Sequence, residues 1–167
     1  MVWMCRICGE EHGDVPNCFG MEAPWRSLVP EADFEARVQL TSDQCVVDEK
    51  IFFIRGHINI PIHGLEKGLS FSVWSSLSEQ SFVHMGDRWN APDRGLDEPY
   101  FGWLSNSIPV YPDTLNLKLS VQSREPGLTP IFTVERTDHQ LSLDQENGIS
   151  VQRWHEIAHE LMHPRIH

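Results

Sequence analysis

The chain of 167 residues has no apolar run long enough to cross a bilayer; its longest aliphatic or aromatic runs, such as Ile51 to Ile54, are four residues, against the roughly 20 that a spanning helix needs. It is also short of positive charge, with 13 Lys and Arg against 24 Asp and Glu, a net charge of −11. A surface of that sign repels phosphate backbones and anionic lipid, so nucleic acid and membrane are poor partners and a basic protein or a cation is a better one. Cysteine is scarce, with four in the chain. The opening residues hold no apolar stretch of signal-peptide length before charges begin, which points to a cytoplasmic protein. In that reducing compartment, cysteines read first as free thiols or metal ligands. There is no Gly-x-Ser-x-Gly elbow and no Gly-rich phosphate loop, so neither a serine-hydrolase nor a nucleotide site is signalled.

What is present is a globular composition: 40% hydrophobic and 22% charged residues, with six Trp and eight Phe. This length suits one domain with a sizeable core. The first thirty residues are turn-rich and hold three of the cysteines. "PEADFEARVQL" reads as a short helix with Phe34, Val38 and Leu40 on one side. From "CVVDEKIFFIRG" the pattern becomes that of strands, the first two joined by a turn at Asp48-Glu49-Lys50. "HINIPIHG" alternates, with Ile58, Ile60 and Ile62 opposite His57, Asn59 and His63; Pro61 puts this strand at an edge or a bulge. "LSFSVWSSL" alternates too, and a helix capped by Ser78 follows it. "YFGWLSNSI", "TLNLKLSVQ" and "PIFTVERT" supply three further strands. A closing helix runs over about 150–162. Strands follow one another without helical crossovers, so the expected fold is α+β. It comprises a single domain over 1–167, with an antiparallel sheet of about five to seven strands over 45–136, a few helices, and a zinc-knuckle-like loop within 1–30.

The closing helix contains His155-Glu156-Ile157-Ala158-His159, the HExxH pattern of zinc hydrolases. At ~100° per residue, Val151, Trp154, Ile157, Ala158 and Leu161 gather on the face that must pack. His155 and His159 start at its flank, on what the wheel makes largely the solvent edge. His163 lies about 12 Å from His155 along the axis, too far for the same tetrahedral ion. A zinc hydrolase is therefore the weakest reading of this motif.

"CRICGEEH" is the stronger metal signal. Cys5-x-x-Cys8-Gly9 has the form of a zinc knuckle, in which a tight turn brings two thiolates to one ion. His12, four residues further on, can return to it. The fourth vertex is Cys45, at the mouth of the first hairpin, or else Cys18. The expected set is Cys5, Cys8, His12 and Cys45 around a structural Zn²⁺. Glu10 and Glu11 oppose the thiolate character that a redox pair needs. A closed set of four leaves no place for water, so no catalytic residue is assigned to it.

These segments carry a resemblance. "CRICGEEHGDVP", "CVVDEKIFFIRGHINIPIHG", "PYFGWLSNSIPVYPDTLNLK" and "TDHQL" resemble the bacterial domain-of-unknown-function family 2199 along nearly the whole chain. The resemblance implies the Cys-x-x-Cys-Gly-x-x-His opening at Cys5, Cys8, Gly9 and His12, a Cys at Cys45, the aromatic segment Phe101 to Leu104, and the pair Asp138-His139. It does not include HExxH and implies no activity.

Three other features bear on function. His57 and His63 share a strand face but lie about 20 Å apart, so they cannot form one site. Asp138-His139 reads as an oriented acid–base pair or as a turn with a satisfied His. "EPYFGWLSNSIPVYP" sets Tyr100, Phe101, Trp103 and Tyr111 around Gly102, which reads as core or as a recognition surface approached at the glycine. The expectation is a zinc-stabilised protein-interaction module for a basic partner. The alternatives are an enzyme with a His/Asp site, or an HExxH zinc hydrolase.

Overall fold

The structure, a computed structural model, describes residues 3–4, 11–12 and 15–163, the first two pairs by their main chain alone. Among these, strands β1 (Trp3–Met4) and β2 (Glu11–His12) form a small antiparallel pair. The main sheet contains β3 (Cys18–Gly20), β4 (Val38–Leu40), β5 (Gln44–Val47), β6 (Ile51–Ile60), β7 (Leu69–Leu77), β8 (Tyr100–Leu104), β9 (Lys118–Gln122) and β10 (Ile131–Val134). Four helices accompany it: α1 (Phe34–Arg37), α2 (Glu79–Asp87), α3 (Gln140–Asn147) and α4 (Val151–Met162). None of the described helices is long and apolar enough to cross a membrane.

The centre is the long hairpin of β6 and β7, paired from Phe52↔Leu77 to Ile60↔Leu69. Its period-two pattern sends Ile54, Ile58 and Ile60 of β6, and Leu69, Phe71 and Val73 of β7, to one fully buried face. β8, β9 and β10 continue as a meander. In a meander of five strands the first and last run the same way, and β10 does meet β6 in parallel, at Ile131↔His57. The sheet therefore closes into a five-stranded barrel around Ile54, Ile58, Phe71, Val73, Leu104, Leu119, Val121 and Phe132.

This corrects the expected antiparallel sheet of about five to seven strands: eight strands join, five of them close into a barrel, and the closing contact is parallel. Alternation assigns side chains to faces but says nothing of which strands become neighbours. The closure has a local cause at Gly56, where a Cβ would stand 2.8 Å or less from three ring carbons of Phe132. The bare backbone of β6 lets that ring fill the barrel interior.

A second, smaller core lies on the outside of the hairpin. β4 and β5 extend the sheet beyond the first half of β6, while β3 runs parallel to the first half of β7. The segment from Ala23 to Val38 covers Phe53 and Trp74 there, burying Trp25, Val29, Cys45 and Val47 with them. The helix expected over "PEADFEARVQL" shrinks to a 3-10 turn at Glu31–Asp33 and the single turn of α1. Val38 and Leu40 belong to β4 instead, since Val38 buries itself by pairing with Val47. The β5–β6 turn has Asp48 and Glu49 at φ 53° and 57°, closed by Lys50 N donating to Val47 O at 3.0 Å. Positive φ at both central residues matches the strand twist.

The expected cap is present, Ser78 accepting from Ser81 N at α2, and Ser150 accepts from Arg153 N in the same way at α4. α3 was not anticipated from its polar sequence. It is held by His139 at its N-cap and by Leu141, which is fully buried.

Candidate binding face on the barrel

On β8 the alternation puts Gly102 and Leu104 inside, while Phe101 and Trp103 face outward at 54% and 40% exposure. Their rings meet edge to face with centroids 5.0 Å apart, the arrangement that aromatic quadrupoles favour. Gly102 is required from within: a Cβ there would lie 2.6 Å from Ser76 O and closer still to Ser75 Oγ. The backbone approach expected at this glycine is that of β7.

The neighbouring strands prolong this face with short polar side chains. Phe101 stands opposite Ser120 and Trp103 opposite Lys118, and Ser120 in turn faces Thr133 of β10. Lys118 Nζ lies 5.9 Å from the Trp103 ring centre. A shallow groove of about 690 Å³ continues along Ser120, Gln122, Ile131 and Thr133 towards Arg124 and Leu128. One wall is the 3-10 turn Arg94–Leu96, latched by Gln122 Nε2 donating to Gly95 O at 3.3 Å and Asp97 O at 3.1 Å. Arg94 is buried and donates to four main-chain carbonyls: Arg124 at 2.6 Å, Trp89 at 2.8 Å, Leu128 at 3.1 Å and Glu125 at 3.2 Å. That clamp fixes the 124–128 loop as the other wall. At the rim, Leu96 is 88% exposed.

Beside this face, α2 is tied to the approach to β8. Arg88 grips Asp97 through two bonds, of 2.8 and 3.0 Å, and Asp93 through one of 2.8 Å. The guanidinium holds the Asp97 carboxyl below the usual carboxylate range. Tyr100 shares a 2.7 Å hydrogen bond with His84 Nδ1, and burial followed by the nearby Asp97 charge raises its phenol pKa. Exposed Glu125 lines the groove, exposed Glu98 lies two residues before β8 and exposed Glu135 directly follows β10. Two exposed aromatics, a row of hydroxyls and amides, and adjoining carboxylates suit the binding of an extended chain.

The expected metal ligands are only partly within view. Cys5 and Cys8 lie outside the described residues, as does the side chain of His12, whose main chain belongs to β2. Cys45 is fully buried among Trp25, Val47, Phe53 and other apolar side chains, and burial pushes its thiol up to about 11. Cys18 is exposed on β3. Through their registers Cys18 aligns with Asn59 of β6 and Cys45 with Phe53, three strands away. At ~3.3 Å per residue and ~4.8 Å per strand, the two thiols are about 20 Å or more apart, so one ion cannot take both. Among the described residues, no three His, Cys, Asp or Glu side chains are grouped to hold a metal.

On α4, Ile157 and Ala158 are buried as the wheel requires, and Trp154 Nε1 donates to Pro16 O at 2.8 Å. His155 and His159 are half-buried rather than on a solvent edge, and they and His163 are each engaged in interactions. His139 is a structural residue: its Nδ1 accepts from Leu141 N at 3.0 Å while Nε2 donates to Asp113 O at 3.0 Å. Both ring nitrogens serve the main chain, so Asp138-His139 is not an acid–base pair. His63, three residues beyond the end of β6, bridges to Asn147 O at 2.9 Å. His57 sits at the barrel seam, beside Ile131.

The sequence reading missed Arg94, Leu96 and Gln122. The only signal for Arg94 was a lone arginine in a Pro- and Gly-bearing loop, which resembles any solvated turn.

The family model described as an uncharacterized protein conserved in bacteria, domain-of-unknown-function family 2199, matches residues 4–149. That covers most of the chain, and the chain belongs to this family. The match ends before α4, so the HExxH helix lies outside it. No curated protein and no solved structure matches the chain.

Proposed function

We propose that this family member is a protein-interaction module that seats an extended basic segment of a partner on the outer face of β8, β9 and β10. The observation that carries the proposal is the pair Phe101 and Trp103, exposed side by side on a regular strand whose other face is barrel core. Exposed aromatics in contact are the residue types that dominate interface energy. The choice of a basic partner rests on complementarity: the chain carries −11 overall, Glu125 lines the groove, and exposed Glu98 and Glu135 adjoin β8 and β10 in the chain. The aromatic faces themselves favour cations.

The test is an amide NMR titration of the full chain with oligolysine and with oligoglutamate. Oligolysine should shift resonances concentrated on β8 to β10, and Phe101→Ser or Trp103→Ser should each weaken that binding about tenfold or more. Equal responses to both peptides, or an unchanged response in the variants, would remove the basis for this reading.

A zinc ion held by Cys5, Cys8 and His12 is the proposed staple of the amino-terminal segment. Its fourth ligand in this proposal is Cys18, exposed and six residues beyond His12, rather than the buried Cys45. When bound, such an ion supplies cross-linking and no chemistry, because a set of four protein ligands leaves no open position. Metal analysis of untagged protein separates the choices. One zinc per chain, lost in Cys5→Ser and Cys18→Ser but kept in Cys45→Ala, is the expected pattern. Zinc kept in Cys5→Ser would refute it.

A further inference from the structure

The groove described above ends, away from Trp103, at a small basic island. Six of the eight arginines among the described residues reach a carboxylate: Arg26, Arg37, Arg55, Arg88, Arg136 and Arg153. Arg94 and Arg124 do not, and both belong to the groove wall. Arg94 is consumed by four carbonyls. Arg124 uses only its Nε, which donates to Thr129 O at 2.6 Å. The next residue along, Pro130, takes the N–H of His57 at 3.0 Å, and Ile131 pairs with His57 across the seam. The Arg124 side chain is thereby brought beside the His57 ring. Across β6 and β7, His57 stands opposite Ser72. Arg55, two residues back on the same face, donates from Nη1 to Ser72 Oγ at 3.0 Å. Because Ser72 Oγ accepts from arginine, its own proton is free to point outward. Ser70, two residues along β7 from Ser72, has a buried hydroxyl with no hydrogen-bond partner.

We propose that Arg55, His57, Ser72 and Arg124 form a binding site for an oxyanion of the phosphate class, at the end of the groove remote from Trp103. Arg124 supplies charge and unengaged Nη donors, which suit a tetrahedral oxyanion, while Arg55, whose nitrogens already serve Ser42 O, Ser72 Oγ and Asp43, adds positive charge and orients the Ser72 hydroxyl. Ser72 supplies a neutral donor between them. His57 becomes a further donor when protonated. In the free protein its pKa is held down by burial, then by Arg55 and Arg124. An anion among these groups offsets that repulsion and favours the charged ring. The other charges in reach are Asp43, 3.4 Å from Arg55 on the side away from Ser72, and Glu125, next to Arg124 in the chain. The site does not depend on Phe101 or Trp103 binding anything, and it stands whether or not a basic partner exists.

The experiment follows the His57 ring and the Ser70 and Ser72 amides by NMR in the full chain. Inorganic phosphate is added against sodium chloride of matched ionic strength. The expected result is a saturable shift with phosphate and none with chloride, about tenfold weaker in Arg124→Gln and unchanged in Arg136→Gln. Ser72→Ala leaves the Arg124–Thr129 bond intact and should weaken binding without loosening the loop. A phosphoserine peptide binding tenfold more tightly than phosphate assigns the site to a phosphorylated partner, whereas equal affinity assigns it to the free ion. A linear shift shared with chloride, or saturable binding unaltered in both Arg124→Gln and Ser72→Ala, overturns the proposal.

Discussion

Replacing Gly56 with Ala tests how the barrel closes. A methyl at that position would lie 2.8 Å or less from Cδ1, Cε1 and Cζ of Phe132, a ring that is fully buried. Two adjustments are open: the ring leaves its rotamer or β10 moves away from β6. The second is resisted little, since the parallel contact between these strands consists of Ile131↔His57 and the bond from His57 N to Pro130 O. Overpacking of this kind costs about 1–3 kcal/mol. Alanine recovers about 0.5–1 kcal/mol by restricting the unfolded chain. The expected net loss is therefore about 1 kcal/mol, read as a lower urea midpoint at unchanged slope. At roughly 2–4 °C per kcal/mol for a domain of this size, the thermal midpoint should fall about 2–4 °C. The sharper measurement is a double-mutant cycle with Phe132→Leu. Leucine vacates the ring edge that the methyl would strike, so the pair should be less damaging than the sum of the single changes by about 1–2 kcal/mol. Strict additivity, or Gly56→Ala as stable as the parent, would refute the idea that this glycine admits Phe132 to the barrel.

Gly102→Ala should separate β8 from β7, because Ser75 Oγ can rotate away but Ser76 O, 2.6 Å from the added carbon, is main chain; hydrogen exchange should quicken at Ser75, Ser76 and Trp103 while the β9–β10 pairing stays protected. Cys45 and Cys18 should differ in reactivity once metal is stripped with a chelator: iodoacetamide followed by peptide mass analysis should find Cys18 modified in the folded, metal-free protein and Cys45 spared until unfolding. The raised thiol of Cys45 contributes stability that is complete below about pH 9 and lost as pH rises through about 11, because the unfolded chain releases the proton first; Cys45→Ala should flatten urea midpoints over that window. His57 has the opposite sense. Its pKa is lowered from 6.5 in the fold, so its contribution is complete above that value and is lost as pH falls through the lowered one; His57→Gln should reduce the slope of stability on the acid side.

Much of the scaffold was legible from alternation and capping. "LSFSVWSSL" announces its buried face through Leu69, Phe71, Val73 and Ser75, all at 0% exposure, since a strand between core and exterior has period two whatever surrounds it. Ser78 and Ser150 are short-range signals, satisfied within three residues of themselves. The barrel was not legible, because its closure depends on residues far apart in sequence, Gly56 and Phe132 among them. Neither residue departs from its own strand pattern. α3 escaped for a related reason: its eight residues carry few apolar side chains, and a histidine replaces the usual Ser, Thr, Asp or Asn at its cap. In the aromatic segment the residue types were visible but not their direction. The phase of β8, set by Gly102 against Ser75, turns Phe101 and Trp103 outward.

The same comparison shows which polar residues are spent on the fold and which are left over. His139, His63 and Arg94 each have the chemistry of a catalytic or binding group. Yet each directs its nitrogens at main-chain carbonyls or amides that loop geometry leaves without partners. Buried carbonyls must be paired, and in loops too irregular for a ladder a long cation or an imidazole supplies the donors. Arg94 alone serves four. Around the seam, among the described residues, donors remain after that demand is met: the Nη groups of Arg124, the Ser72 proton and the unpaired Ser70 hydroxyl. In a chain of −11 most arginines have a carboxylate within reach, so a guanidinium without one is informative about its site. Arg124 occupies the one stretch of groove wall where Arg94 has already fixed the loop and where β10 closes on β6 with a single registered pair. An anion seated there would tie the 124–129 loop to β6 and β7 across the weakest seam of the barrel. Phosphate binding should therefore also protect the Ile131 and His57 amides from exchange, an effect that surface condensation of an ion elsewhere on the molecule would not produce.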